Sequence, residues 1–379
     1  MQELLNRLDE IAPLARSSAS EAERLARLPQ HVADALVRHG LFRIWIPKRV
    51  GGFELALAEA LRVYEAAARI DGSVGWAVMI GSGGGLFAAY LDLDAAHSLY
   101  SRPDAVIAGS GAPDGRAERV AGGYRATGRW HYASGAQYAT TFTANCLVTQ
   151  SGTVVVGPDG KPLIRAMAFD SSQVDVVRAW DTTGMRGTGS DDFAVRDVFV
   201  PEAHTFSVFT DTPRETGPLY RLPFGVLTEL PVSTVAVGIA RHALEVFSGL
   251  ARRKKTSGAG QLLSDDPTVQ NTFAQAHATC QQVKAGLAAL ADDAWQAALA
   301  NRPLSGHELA QITAGCAFAV GRLRSVVDEL IAVSGMTGIQ TDNELARAWR
   351  DLQTVAAHGS VSPRQLTKAG AGLLGDAQT

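Results

Sequence analysis

Residues 128–141 read GRWHYASGAQYATT and carry side chains suited to meeting a flat, partly polar ring. Trp130 and Tyr132 are two apart, so on a regular strand they share one face and His131 takes the other. Ala133-Ser134-Gly135 then breaks the alternation. An ordinary aromatic strand closed by a Ser-Gly turn accounts for this stretch. So does a surface that presents a hydroxyl and backbone groups to something flat.

A second candidate is His358, in ELARAWRDLQTVAAHGSVSP near the end of the chain. On a helical wheel Leu345, Ala348, Trp349, Leu352, Val355 and Ala356 form an apolar stripe, with Arg347, Asp351, Thr354 and His358 in a polar row opposite. Gly359 is a helix stop and Pro363 lies beyond it. His358 is therefore expected in the last turn, where the helix dipole favours a protonated imidazole by about 0.3–1 kcal/mol. A capping histidine on a solvated face is one reading. A histidine that accepts or positions a substrate proton is the other.

Other chemistries find little support. There is no HExxH, no nucleophile elbow and no Walker lysine. GMRGTGSDD is glycine-rich, but it is not set between a strand and a helix of a βαβ unit, which argues against a dinucleotide fingerprint. Cys146, Cys280 and Cys316 lack metal-ligand spacing and leave an odd thiol, which points to a reduced, cytoplasmic setting and no bound metal. A net charge of −3 supplies no basic surplus for nucleic acid or anionic membranes. The amphipathic, charged N-terminus does not read as a signal peptide. Val74–Leu91 is an 18-residue stretch without a charge, the lower limit for a membrane span, but it holds five glycines. It is read as two buried helices with a glycine break.

These residues sit in a chain of 379 amino acids whose periodicity changes twice. Up to about 105 the spacing is helical, as in LPQHVADALVRHGLF and AEALRVYEAAARID. From 106 to about 210 it is that of strands: FTANCLVT, GTVVV, RAMAF and QVDVV. In DDFAVRDVFVP the alternation slips by one after Val195, which predicts a β-bulge. From 211 to the end helices return, and 252–269 reads as a helix end followed by a mobile loop. The expected class is α+β by segregation: an N-terminal helical domain (1–105), a central β-barrel or sandwich domain (106–210) and a C-terminal four-helix bundle (211–379).

The order of segments, with LARLPQHVADALVRHGLFRIWIPKRVGGFELAL near the start, resembles the acyl-CoA dehydrogenase fold. GGYRATGRWHYASGAQYA and WDTTGMRGTGSDDFAVRDVFVP resemble its reduced-flavin-dependent monooxygenases, the oxygenase components of two-component hydroxylases acting on such substrates as 4-hydroxyphenylacetate. Dehydrogenases of this fold carry a glutamate base after an Arg-Asp pair on the last long helix. Counted from Arg350-Asp351, the glutamate position here is Gly359 and the position before it is His358. Glycine cannot remove an acyl α-proton, although some dehydrogenases place the base on another helix.

The monooxygenase resemblance implies reduced FMN or FAD, delivered by a separate reductase, and O2 activated as a C4a-hydroperoxyflavin. The substrate would be an aromatic or heteroaromatic small molecule, with N- or S-oxygenation open on the same scaffold. It implies catalytic roles for His358 and Ser134, and flavin contacts at Trp130, Tyr132, Ser134, Gly135, Thr188 and Ser190. Arg252 and Arg253 stand where the fold sends an arginine to a neighbouring subunit's flavin phosphate; a solvated basic helix end accounts for them equally. Trp76 and Met79 line the substrate pocket in this reading, or are simply core. The usual assembly is a homotetramer. An FAD-dependent acyl-CoA dehydrogenase and a non-catalytic flavin-binding protein are the rival readings.

Overall fold

Apolar periodicity dictates where helix gives way to sheet. The computed structural model describes residues 1–157, 159–255 and 260–375. The first segment contains α1 (Gln2–Leu25), α2 (Gln30–Arg38), α3 (Leu57–Ile70), α4 (Gly72–Gly83) and α5 (Leu93–Tyr100). Asp71 starts α4 by accepting from the Val74 backbone N–H. α4 runs through a 3₁₀ stretch to Tyr90, so the uncharged segment is a helix that tightens at its glycines. It is long and apolar enough to cross a membrane, but 83% of the relevant window is buried inside the protein.

The strands are β1 (Ile107–Val120), β2 (Gly123–Ala133), β3 (Thr141–Gln150), β4 (Thr153–Val154), β5 (Ile164–Asp170), β6 (Asp175–Val177), β7 (Asp191–Pro201) and β8 (Thr205–Phe206). They form one mixed sheet in the order β6-β7-β2-β1-β3-β5-β8, with β4 added to β3. Every pairing is antiparallel except β1 with β3. The predicted bulge is present. Ala126 pairs with Val198 and Gly128 with Val195, so β7 holds an extra residue there, and Asp197 takes φ 52°. The sheet core is aromatic, with Trp130 stacked on Phe193 and Phe193 against Phe142.

The third segment contains α6 (Val226–Ala251), α7 (Pro267–Leu299), α8 (Gly306–Ser334), α9 (Glu344–Ala356) and α10 (Pro363–Gly375). Of the stretch read as a mobile loop, 256–259 lie outside the described residues. On either side Lys255 pairs with Leu262 and the Leu263 N–H donates to the Lys254 carbonyl, so the flanks are structured. The two helical segments do not have separate cores. One apolar cluster runs from Leu8 of α1 through Tyr64 of α3 and Val78 of α4 to Val235 of α6, Leu323 of α8 and Leu352 of α9. The chain has three segments in sequence but one helical mass and one sheet in space.

Candidate active site

β2 ends in a second irregularity. Trp130 pairs with Phe193 and Ala133 with Asp191, so β2 holds one residue more than β7 between those pairs. The surplus falls at Tyr132, with φ 68°. This bulge corrects the expectation that Trp130 and Tyr132 share a face. Trp130 is 0% exposed and its indole N–H donates to the Asn145 carbonyl, so it belongs to the sheet core and cannot touch a ligand. Tyr132 is 71% exposed and meets Trp180 edge-on at 6.2 Å. His131 is exposed, with its Nδ1 2.9 Å from the Asp192 carboxylate.

Beyond the bulge the chain turns at Gly135, whose φ of 78° suits glycine. Its N–H donates to the Thr188 carbonyl, which ties this turn to the GMRGTGS loop. The tie brings three hydroxyls into a row. Ser134 Oγ lies 2.7 Å from Ser190 Oγ, and Ser190 Oγ lies 2.7 Å from Thr188 Oγ1. All three residues are buried. At the other end of the row, the Trp76 indole N–H donates to Ser134 Oγ at 3.0 Å.

α9 reaches the same place from the opposite side. Its apolar stripe is buried except for the half-buried Trp349, but its polar row is not solvated. Asp351 is 3% exposed and accepts from the Met185 N–H of the glycine-rich loop. Arg347, also buried, lies 3.7 Å from both Glu23 of α1 and Asp71. Burial, reinforced by the neighbouring charge of Asp71, holds the Asp351 carboxyl above its ordinary range. Docking is close: a Cβ on Gly184 would sit 2.1 Å from the Arg350 carbonyl oxygen.

The helix stops at Ala356, with Ala357 as its cap, so His358 lies just past the last turn rather than in it. Burial lowers the His358 pKa and keeps the imidazole neutral near pH 7, which overrides the protonation expected from the helix dipole. The Ser360 N–H donates to Nδ1 at 3.3 Å, which assigns the neutral ring's proton to Nε2. The His358 ring stands edge-on to Trp76 with centroids 5.3 Å apart. Trp76 therefore bridges Ser134 and His358.

These groups line a cavity of about 730 Å³, within the range of roughly 300–1,000 Å³ usual for small-molecule and cofactor sites. Its walls include Trp76, Met79, Tyr132, Ser134, Thr188, Ser190 and His358. Gly135 acts from behind through its bond to Thr188. Arg252 and Arg253 are exposed at the end of α6 and do not line the cavity. Sequence reasoning missed Trp180, Thr354, Trp45 and a wall of Phe87, Phe206, Phe209 and Phe224. Phe87 and Phe206 lie 4.8 Å apart and Phe209 meets Phe224 edge-on at 6.3 Å. Trp180 stood within the WDTTG motif; the phenylalanines come from distant segments with no shared pattern.

The cavity can admit a flat ring. Gly83, Gly111 and Gly359 lie in its walls with open space where a Cβ would be, so a planar group can approach their backbone. The Trp45 indole N–H is buried without a protein partner. Among the described lining residues there is no Asp, Glu, Lys or Arg. No group of three or more His, Cys, Asp or Glu among the described residues could hold a metal.

Comparison with known proteins identifies the family. Residues 8–92 match the family described as acyl-CoA dehydrogenase, N-terminal domain, and 230–363 the one described as acyl-CoA dehydrogenase, C-terminal domain. The chain is 32% identical to an indole-3-acetate monooxygenase of Pseudomonas putida, over 95% of this chain and 90% of that one. It is 28% identical to the flavin-dependent monooxygenase oxygenase subunit HsaA of Rhodococcus jostii, over 95% of each. XiaF from a Streptomyces species, solved with FADH2 and glycerol, superposes with a TM-score of 0.91 at 25% identity, covering 99% of this chain and 95% of that one. The 3-HSA hydroxylase of a Rhodococcus species superposes with a TM-score of 0.90 at 26% identity, covering 98% and 97%.

Proposed function

The chain belongs to the flavin-dependent monooxygenases of the acyl-CoA dehydrogenase fold, and from that premise we propose that its cavity holds reduced flavin between Ser134 and His358 and hydroxylates an aromatic substrate there. The protein is an oxygenase component that uses reduced flavin and O2. The observation that carries the site assignment is the Ser134–Trp76–His358 bridge across the cavity.

Bound reduced flavin would supply the electrons that activate O2. Ser134 would meet the ring's N5 edge, with Ser190 and Thr188 fixing that hydroxyl. Tyr132 and Trp180 would cover the ring at the mouth, where the bulge leaves a large aromatic exposed. The phenylalanine wall would hold an aromatic substrate by apolar burial and edge contacts. Its apolar surface would also keep water from the reacting edge. His358, neutral and protonated at Nε2, would donate a hydrogen bond to a substrate heteroatom and orient the ring. Taking a proton there would require the other tautomer and loss of the Ser360 bond. An indole or phenol suits this pairing of an apolar wall with the His358 donor, and an indole matches the name of the Pseudomonas putida relative.

The described lining holds no carboxylate, the type of base that dehydrogenases of this fold use to remove an acyl α-proton, and this speaks against acyl-CoA dehydrogenation. With no Lys or Arg among the described lining residues, the flavin phosphate would be met from outside the cavity. Arg252 and Arg253 of a neighbouring subunit have the right charge, and a homotetramer would supply them. A separate reductase would deliver the flavin. The test is to mix anaerobically reduced FMN or FAD and the protein with O2 and a panel of indoles, phenols and sulfur compounds. Hydroxylated product with reduced flavin alone is expected. Bleaching of oxidised protein-bound flavin by an acyl-CoA would overturn the reading.

A further inference from the structure

The aromatic wall of the cavity is a row that runs from inside to outside. Phe206 is 2% exposed, Phe87 and Phe224 are half-buried and Phe209 is 76% exposed. Phe87 lies 4.8 Å from Phe206 and 6.0 Å from Phe224, and Phe209 stands edge-on to Phe224 at 6.3 Å. A single exposed phenylalanine is ordinary on a protein surface. This one is set apart by the turn that carries it. The Ser207 N–H donates to Asp211 Oδ2 at 2.9 Å, and the Asp211 N–H donates to the Ser207 carbonyl at 3.0 Å. Ser207 Oγ accepts from the Phe209 and Thr210 N–H groups at 3.4 and 3.3 Å. Arg165 of β5 lies 3.2 Å from the Asp211 carboxylate and donates to the Thr205 hydroxyl at 3.1 Å, so the turn is latched to the sheet. Ordering a surface turn costs backbone entropy, and here the ordered turn displays an apolar ring rather than burying it.

We infer that Phe209 is a specificity-determining residue: the latched turn holds its ring at the outer end of the aromatic row, where it packs against the substrate and favours fused-ring aromatics over single-ring ones. This rests on the reading above that the substrate lies along the phenylalanine wall. One substrate ring is covered by the inner three phenylalanines. A second, fused ring continues outward along the row to Phe209. Contact there removes apolar surface of both partners from water and adds an aromatic pair. Asp211 and Arg165 act through Phe209 and are positioning residues.

The test compares phenol with 2-naphthol, which share a hydroxyl and differ by one fused ring. Pyrrole and indole, related in the same way, serve if the phenols are not turned over. Hydroxylation of each by the full chain is measured with reduced flavin in excess and O2, and kcat and KM are taken separately. Phe209→Ala should lower kcat/KM for the fused compound roughly 3- to 10-fold through KM, the worth of one aromatic contact. The single ring should change less than about twofold, because it is covered without Phe209. Phe209→Tyr, which keeps the ring, should hold the wild-type ratio. Asp211→Ala keeps the ring but opens the turn, so its ratio should move the same way as that of Phe209→Ala by less. Thermal unfolding of Phe209→Ala should match wild type, because an exposed ring supports little of the fold. A ratio unchanged in Phe209→Ala would overturn this inference and leave the proposed function standing. An unchanged ratio with a smaller assembly in light scattering would overturn it as well and assign the ring to a contact between copies of the chain. Turnover of a single-ring compound without its fused counterpart would also overturn it. Wild type that hydroxylates neither pair would overturn both.

Discussion

The two halves of the site are built in opposite ways. At the end of β2 the functional group is displayed by a fault in a regular element: one surplus residue at Tyr132 ends the alternation and frees the turn that carries Ser134. At the end of α9 the element is regular throughout, and the functional group follows because the helix stops at Ala356. The strand half takes its geometry from a partner strand and from the 184–190 loop. The helix half takes its geometry from a buried polar row docked on that same loop. Asp351 and Gly184 join the two halves, and the loop that sets the hydroxyl row also sets how far α9 can approach. The difference teaches that hydroxyl and imidazole are positioned through one shared support.

Four variants break or sharpen this comparison. The largest effect is expected for His358→Ala, which should lower hydroxylation roughly 100-fold, the scale of a substrate misplaced by loss of an orienting group. Reduced-flavin affinity should change less than about 3-fold, so single-turnover product yield and equilibrium binding should separate the two halves. Gly184→Ala comes next. Its Cβ would meet the Arg350 carbonyl oxygen at 2.1 Å, and overpacking of that kind costs about 1–3 kcal/mol. Thermal unfolding should show that loss, while a similar change at Gly359, whose Cβ would face open space, should leave stability nearly unchanged.

Trp130→Phe tests the corrected role of that residue. It should cost about 1–2 kcal/mol through a smaller ring and an unpaired Asn145 carbonyl. Flavin affinity should stay within about twofold, whereas a tryptophan lying against the ring would lose far more.

The last test concerns the pH dependence contributed by Asp351. A raised carboxyl pKa means that the folded state keeps its proton to higher pH than the unfolded chain. The stabilising contribution is complete below the ordinary value of 3.8 and declines as pH rises toward the folded value. Urea titrations between pH 5 and 8 should show a decline of at most about 1.4 kcal/mol per pH unit from this group. Asp351→Asn, which keeps an oxygen for the Met185 N–H, should flatten that slope. His358 adds the opposite sign, because its lowered pKa removes stability as pH falls below 6.5.

How much of this was legible in the sequence follows from the range of the forces involved. Periodicity located α2, α3 and α9, the extent of the sheet and the Asp197 bulge, because each depends on neighbours within a few residues. It also drew notice to Ser134 and His358, through a Ser-Gly step and a helix stop, but their roles came from the family resemblance. It misplaced Trp130 because the Tyr132 bulge is defined by register against β7. It read Arg347 and Asp351 as solvated because Glu23, Asp71 and the Met185 N–H come from far along the chain. The phenylalanine wall and Trp45 converge only in space. The resemblance to flavin monooxygenases was carried by the motifs around 123–138 and 180–201, which hold most of the hydroxyl side of the site.

The central claim is that Ser134 and His358 act from opposite sides of one cavity, Ser134 on the flavin and His358 on the substrate. A crystal structure of the anaerobic complex with reduced flavin and an indole substrate tests it most directly. The account predicts the isoalloxazine N5 edge within hydrogen-bond distance of Ser134 Oγ, with the substrate ring between the flavin and His358 Nε2. Flavin bound outside this cavity, or an imidazole turned away from both rings, would contradict it.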